Sequence, residues 1–367
     1  MDIARQQIKK NTPACVVQHT LRTLMTAPAP VARYAVYDLT RPTGSQKKWI
    51  KYFDNQHWKG ALIAPDIKKD NEHTALERLK NADLVIYEIH GGGFRVGHCL
   101  APKVYYPAPI QTCVSGYQYL TTELGVSPTK IIISGDSAGG IISLEMLCHI
   151  YAPGLLTDPY AKRTNFDIDL PAGILLSSPV ISVNQTSESW KKYASSDIVS
   201  HRLFDLVIKE YVSLKKNNLD KMAMFNLFNN LSHGGMEQIC QGTILIFVGE
   251  KEVFRDDIIT FVDIIKKTTS KLKVNVCKAQ YAHDWYLIRE IVRQEDKELL
   301  HRCDTIMAKW CDRALVYQRK LKQQAKDRKE EQRADELSDI VSTSLGEKVI
   351  PPHATTLSDS TSHPILV

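Results

Sequence analysis

The chain lacks the features that would place it outside the ordinary globular class. No stretch approaches the roughly 18 consecutive apolar residues that a membrane-spanning helix needs. Residues 1–10, MDIARQQIKK, carry charge where a secretory leader has an apolar run. The expectation is a soluble protein of the cytoplasm, without a transmembrane segment. The eight cysteines, at 15, 99, 113, 148, 240, 277, 303 and 311, include no C-x-x-C pair, and Cys148 stands inside the apolar run 146–150. Thiols scattered in this way read as small buried hydrophobes, which argues against a disulfide framework or a zinc site. There is no internal repeat, and the two N-x-[ST] sequons at Asn184 and Asn230 carry no weight without a leader.

A basic surface on the body of the protein is missing as well. The formal charge is +6, but residues 302–333 alone hold ten Lys/Arg against five Asp/Glu. The rest is close to neutral, so no clustered basic face is available for a nucleic-acid groove, and the charged segment reads as a solvated helix.

What is present is enough apolar material for a large core: 367 residues, 43% of them hydrophobic. That fits one α/β domain with appendages. Short apolar runs rich in β-branched residues recur at 34–37, 62–64, 84–89, 131–134, 173–177, 243–248 and 274–277. Most are continuous, as expected for strands of a mostly parallel sheet covered on both faces. Helical patterns lie between several of them: Tyr117, Leu120 and Leu124, then 141–150, then 261–265. Strands alternating with helices imply βαβ units and hence a parallel sheet. Leu299, Cys303, Ile306 and Trp310 keep helical spacing and suggest a terminal helix packed on that sheet. The resulting division is 1–83 for N-terminal cap helices and first strands, 84–318 for the core, and 319–367 for a charged helix ending in a disordered Ser/Thr/Pro-rich tail from about residue 342. Within the core, an insertion at about 184–235 reads as a helical cap.

Two motifs carry chemistry. Gly135-Asp136-Ser137-Ala138-Gly139 is a G-x-S-x-G placed directly after the run 130–134 and directly before a helical pattern. Small residues around Ser137 permit a sharp strand-to-helix turn that lifts the hydroxyl clear of the sheet, and the helix N-terminus favours developing negative charge. Upstream, the strand 84–89 ends in His90-Gly91-Gly92-Gly93-Phe94. Consecutive glycines expose backbone N–H groups, which is what a tetrahedral oxyanion requires.

Together these motifs resemble the hormone-sensitive-lipase-like esterases of the α/β-hydrolase superfamily, which carry His-Gly-Gly-Gly and Gly-Asp-Ser-Ala-Gly-Gly. Further matching pieces are Leu100-Ala101-Pro102, Tyr106-Pro107-Ala108-Pro109, Ser178-Pro179, Arg255-Asp256-Asp257 and His283-Asp284-Trp285. The resemblance implies a triad in the order serine, acid, histidine: Ser137 as nucleophile, His283 as base, and an acid in Gly249-Glu250-Lys251-Glu252-Val253-Phe254-Arg255-Asp256. The family's aspartate falls on Glu252, with Glu250 and Asp256 as rivals. By the same likeness the amides of Gly91, Gly92 and Ala138 form the oxyanion hole, and Asp136 is a buried structural carboxylate. No metal or organic cofactor is implied.

The implied activity is hydrolysis of a small or medium apolar ester. Fungal members of the class include sterol-ester deacetylases and tailoring hydrolases of secondary metabolism. A catalytically silent binding protein, an inactive truncated variant, and cleavage of an amide or thioester are the alternatives. Trp190, Tyr193, Phe204, Tyr211, Met222, Met224, Phe225 and Phe228 in the cap, together with the N-terminal region, suit an apolar pocket or anchor the cap to the body.

One departure stands out. Family members insert a helix and a strand after the oxyanion glycines, whereas here Gly97-His98-Cys99 runs straight into Leu100-Ala101-Pro102. About 25 residues are absent. In the family's strand order the missing strand lies on the far side of 84–89 from the elbow strand. The elbow pairing can survive, with a gap or a new pairing on the other side of 84–89.

Overall fold

The structure is a computed structural model that describes residues 12–54, 58–95, 104–162, 169–212 and 223–346. The central sheet is parallel and ordered β3-β4-β5-β6-β7, where β3 is Val85–Ile89, β4 Ile131–Asp136, β5 Gly173–Ser177, β6 Thr243–Gly249 and β7 Lys273–Ala279. Preceding it, β1 (Ile50–Asp54) and β2 (Lys59–Ile63) form a separate antiparallel pair.

Continuous apolar strands need cover on both faces, and alternate side chains enter two different cores. Ile131, Ile133, Ile174, Leu176, Ile244, Ile246 and Val248 point into one cluster with helices α5 (Ala138–Tyr151) and α9 (Arg255–Thr268). Ile132, Leu175, Leu245 and Phe247 point into the other, against Trp285, Tyr286 and the terminal helix α10 (Lys297–Gly346). On α10 the buried residues Leu300, Cys303, Trp310, Cys311, Ala314, Leu315 and Gln318 recur at three- and four-residue spacing. Trp310 Nε1 also donates to Thr243 Oγ1 at 2.8 Å, which satisfies its one polar group.

The remaining helices are α1 (Ala14–Thr26), α2 (Ala29–Thr40), α3 (Glu72–Lys80), α4 (Ala108–Gln118), α6 (Glu188–Tyr193), α7 (His201–Val212) and α8 (Ala223–Leu231). The run 34–37, read from sequence as a strand, lies in α2. Pro28 precedes that helix and Pro30 sits in its first turn, where the fixed φ of proline suits a helix start. Its buried positions, Ala29 and Ala32, are three apart, while Tyr34 and Tyr37 face solvent.

A gap or a new pairing was expected beside 84–89. Among the described residues no strand pairs with the outer edge of β3, and the β1–β2 pair stands apart from the central sheet. The hairpin is attached through a side chain: Trp58 lies with its ring centroid 5.1 Å from that of Tyr119, just beyond α4. The junction at Cys99 and Leu100 lies outside the described residues.

The chain divides into two units, Met1–Gln318 and Arg319–Val367. In the second, residues 319–346 are helical, so 342–346 are helix where disorder was expected, and the rest of the tail lies outside the described residues. No helix among the described residues is long and apolar enough to cross a membrane.

Candidate active site

All five parallel strands end on one side of the sheet, so the loops after β3, β4, β5, β6 and β7 converge there. Ser137 lies in the one after β4. Its backbone has φ 49° and ψ −118°, a conformation that costs energy for any L-residue with a side chain. The surroundings hold it in place. Ser137 N–H donates to Ser177 O at 2.9 Å, and α5 starts immediately afterwards. A Cβ on Gly139 would come within 1.9 Å of Ile89 O, so only glycine lets α5 start this close to β3.

His283, in the loop after β7, places Nε2 2.9 Å from Ser137 Oγ. The carboxylate of Asp284 also approaches this nitrogen, with Oδ2 at 3.1 Å. Burial pulls the imidazole pKa down, but the facing carboxylates of Asp284, Glu252 and Asp197 outweigh it and push the value up to about 10. The ring packs edge-on against Phe254 at 5.3 Å.

Glu252 is wholly buried at the end of β6. Its Oε2 accepts from Ser178 Oγ at 2.7 Å and from Gly249 N–H at 2.9 Å. Its Oε1 and the Nδ1 of His283 are both buried, and neither has a hydrogen-bond partner among the described residues. A leftover acceptor and a leftover ring nitrogen in neighbouring loops are complementary. Burial pushes the Glu252 pKa up to about 8, against the lowering effect of His283. The rivals are placed differently: Asp256 accepts from Ser189 N–H at 2.7 Å and from Arg255 Nε at 2.8 Å, and Glu250 is only half-buried.

The glycine loop corrects one sequence expectation. Gly91 N–H donates to Asp136 Oδ1 at 2.7 Å, and a Cβ at 91 would lie 2.2 Å from Asp136 Oδ2. That amide therefore holds the loop to the elbow strand and is not directed at a substrate. The N–H groups of Gly92, Gly93 and Ala138 meet no acceptor among the described residues. Asp136 has its pKa raised well above the usual carboxylate range by burial and by the charges of Asp284 and Glu88, with the Gly91 hydrogen bond opposing.

Helices α1 and α7 pack against this loop. A Cβ at Gly93 would lie 3.2 Å from Val207 Cγ1 of α7 and 3.3 Å from Met25 Cε of α1. Arg95 is fully buried and forms a two-pronged ion pair with Glu210, through Nε to Oε2 at 2.6 Å and Nη2 to Oε1 at 3.1 Å. It also donates to the carbonyls of Met25 and Ala27, so one guanidinium ties the end of α1, α7 and the glycine loop together. Aromatics of the stretch 184–235 contribute to this packing. Trp190 packs on His201, Phe204 and Phe254, Tyr211 stacks on Phe94 at 4.1 Å, and Phe228 meets Phe261. Met222 and the side chains of Met224 and Phe225 lie outside the described residues.

Two contributors were not legible in the sequence. Ser178 belonged to a matching dipeptide but had no role until its hydroxyl was seen bridging Glu252 and the Asp284 N–H, the latter at 3.0 Å. Asp197 stands in a polar stretch, Ala194-Ser195-Ser196-Asp197, with no local signal, yet it is buried and accepts His283 N–H at 2.9 Å.

This fold agrees with what known proteins show. A family model described as the alpha/beta hydrolase fold matches residues 94–287, more than half of the sequence. The chain belongs to that family. Among curated relatives, it is 23% identical over 235 residues to "Lipase 2" of Moraxella sp. (strain TA144), covering 52% of each chain. It is 25% identical over 172 residues to a "Putative steryl acetyl hydrolase" of Schizosaccharomyces pombe, covering 45% of this chain and 42% of that one. It thus spans about half or less of the length of these relatives. The crystal structure of EstE5 soaked with ethyl alcohol superposes with a TM-score of 0.60 at 19% identity, over 83% of this chain and all of that one.

Proposed function

We propose that this chain is a serine carboxylic-ester hydrolase that works through an acyl-enzyme. The observation that carries the reading is the 2.9 Å contact between Ser137 Oγ and His283 Nε2 at a strained turn on the sheet's carboxyl edge. Ser137 Oγ attacks the ester carbon as its proton passes to Nε2, and the carbonyl oxygen becomes an oxyanion. The amides of Gly92 and Ala138, joined by Gly93, are the donors on this reading. Collapse of the intermediate expels the alcohol, which takes the proton from Nε2, and a water then repeats the sequence to release the acid. Glu252 is the acid of the triad, because its unpartnered oxygen matches the unpartnered Nδ1 of His283.

The substrate class proposed is a small or medium apolar ester. The close approach of Met25 and Val207 to Gly93 supplies an apolar wall beside the oxyanion donors. An acetylated sterol or an esterified secondary metabolite fits that class, and the likeness to the fission-yeast relative favours the first.

The test is turnover of p-nitrophenyl acetate and butyrate by the wild type and by Ser137→Ala. The substitution is expected to remove activity by roughly 10⁴-fold or more and to abolish labelling by a fluorophosphonate. Equal rates for both proteins would end the proposal.

A further inference from the structure

The Asp197 carboxylate is the point where the cap meets both loops that carry the triad. It follows α6 in the cap insertion, yet it is buried to 1% exposure and accepts three backbone N–H groups: Ile198 at 2.7 Å and His283 at 2.9 Å on Oδ1, and Val253 at 2.8 Å on Oδ2. His283 is the base, and Val253 directly follows the acid Glu252. One planar group thus grips the backbone of the histidine loop with one oxygen and that of the acid loop with the other. From outside, Arg22 of α1 holds the same turn. Its Nη1 donates to Ser195 O at 2.8 Å and its Nη2 to Ala194 O at 3.2 Å, with a further bond to Asp197 O.

We infer that Asp197 is a positioning residue of the hydrolase, a strut from the cap whose carboxylate sets the separation between His283 and Glu252. The geometry of a carboxylate is what makes this possible. Its two oxygens lie at a fixed spacing and both accept, so the two loops cannot drift independently while both bonds hold. Oε1 of Glu252 and Nδ1 of His283 have no other partner among the described residues to fix their approach, so their spacing depends on how the two backbones are held. A carboxamide at 197 would keep an acceptor on one side only and turn an NH₂ group toward one of the loop amides, donor against donor.

The inference rests on the proposed serine-hydrolase reading with Glu252 as acid, and the experiment separates the two. Wild type, Ser137→Ala, Asp197→Asn and Asp197→Ala are compared for kcat and KM on p-nitrophenyl acetate. The number of active sites is titrated with a fluorophosphonate, and melting temperature is recorded. The expected result is a kcat per titrated site lower by roughly 10²-fold in both Asp197 variants, the scale of a small misplacement of catalytic groups, with KM changed by less than about threefold. A purely structural role would reduce melting temperature and the count of titratable sites but leave kcat per site unchanged, and that outcome overturns the inference. If neither Asp197 variant folds, Arg22→Met is read in the same way: a fall in kcat per site supports the strut, and an unchanged value refutes it. Should wild type and Ser137→Ala prove equally active, the hydrolase reading itself fails; a dead Ser137→Ala beside normal Asp197 variants sinks the strut alone.

Discussion

A buried carboxylate that steers an imidazole acts through its charge, and one that only fills space acts through its shape. At Glu252 the two can be separated, because glutamine keeps the shape and can still accept from Ser178 and Gly249 through its one oxygen. Glu252→Gln is expected to lower kcat by roughly 10³–10⁴-fold, the scale seen when a triad acid loses its charge, with Glu250→Gln within about threefold of wild type. Steady-state kinetics on a p-nitrophenyl ester check both, and a normal rate for the Glu252 variant would move the acid elsewhere. At this scale the sequence singled out Ser137 and His283, whose Oγ and Nε2 the fold brings to 2.9 Å. Ser137 was legible because G-x-S-x-G stands between a strand and a helix, and His283 because it follows the last strand in the order the family resemblance implies. The destination of the Gly91 amide was not legible, since which N–H faces a carboxylate and which faces a substrate depends on how close two backbones come. Asp197 was invisible for the same reason: its three partners are backbone amides, which leave no mark on side-chain patterning.

Among the elements, α10 gives the clearest link from sequence to stability. Trp310 is buried against Gly173 and donates to Thr243 Oγ1, so truncating it removes a large apolar group and orphans nothing charged. Trp310→Ala is expected to destabilise the protein by roughly 3–5 kcal/mol, read from the urea unfolding midpoint, with the catalytic rate of the folded fraction unchanged. The strands of the central sheet were readable because burial on both faces demands unbroken apolar runs, as in β4, β5 and β6. The same rule misplaced α2, where Tyr34-Ala35-Val36-Tyr37 has strand-like composition but the buried spacing of three at Ala29 and Ala32 is helical. Composition over four residues cannot outvote a period that takes seven or more to show.

For the molecule as a whole, the last buried residue of α10 among the described side chains is Gln318, whose side chain donates to Gln241 O, and the second unit begins at the next residue. A chain ending at Gln318 is expected to keep the melting temperature and the ester hydrolysis rate of the full chain. A marked loss of either would show that 319–367 supports the body. The shortened stretch after the glycine loop was expected from the family resemblance, and its junction at 99–100 lies outside the described residues. How the hairpin β1–β2 would be retained was not readable, since contacts such as the Trp58 ring against Tyr119 and Lys51 Nζ donating to Asp70 O join segments far apart in the chain.

The one-sided pairing of β3 has a consequence for heat. Strand β3 hydrogen-bonds only to β4 among the described residues, and the glycine loop 91–93 follows directly on its end. A margin zipped on one side opens at a lower free energy than the interior of the sheet. On warming, the glycine loop is therefore expected to loosen while the body is still intact, which would set the upper working temperature of this protein at its rim.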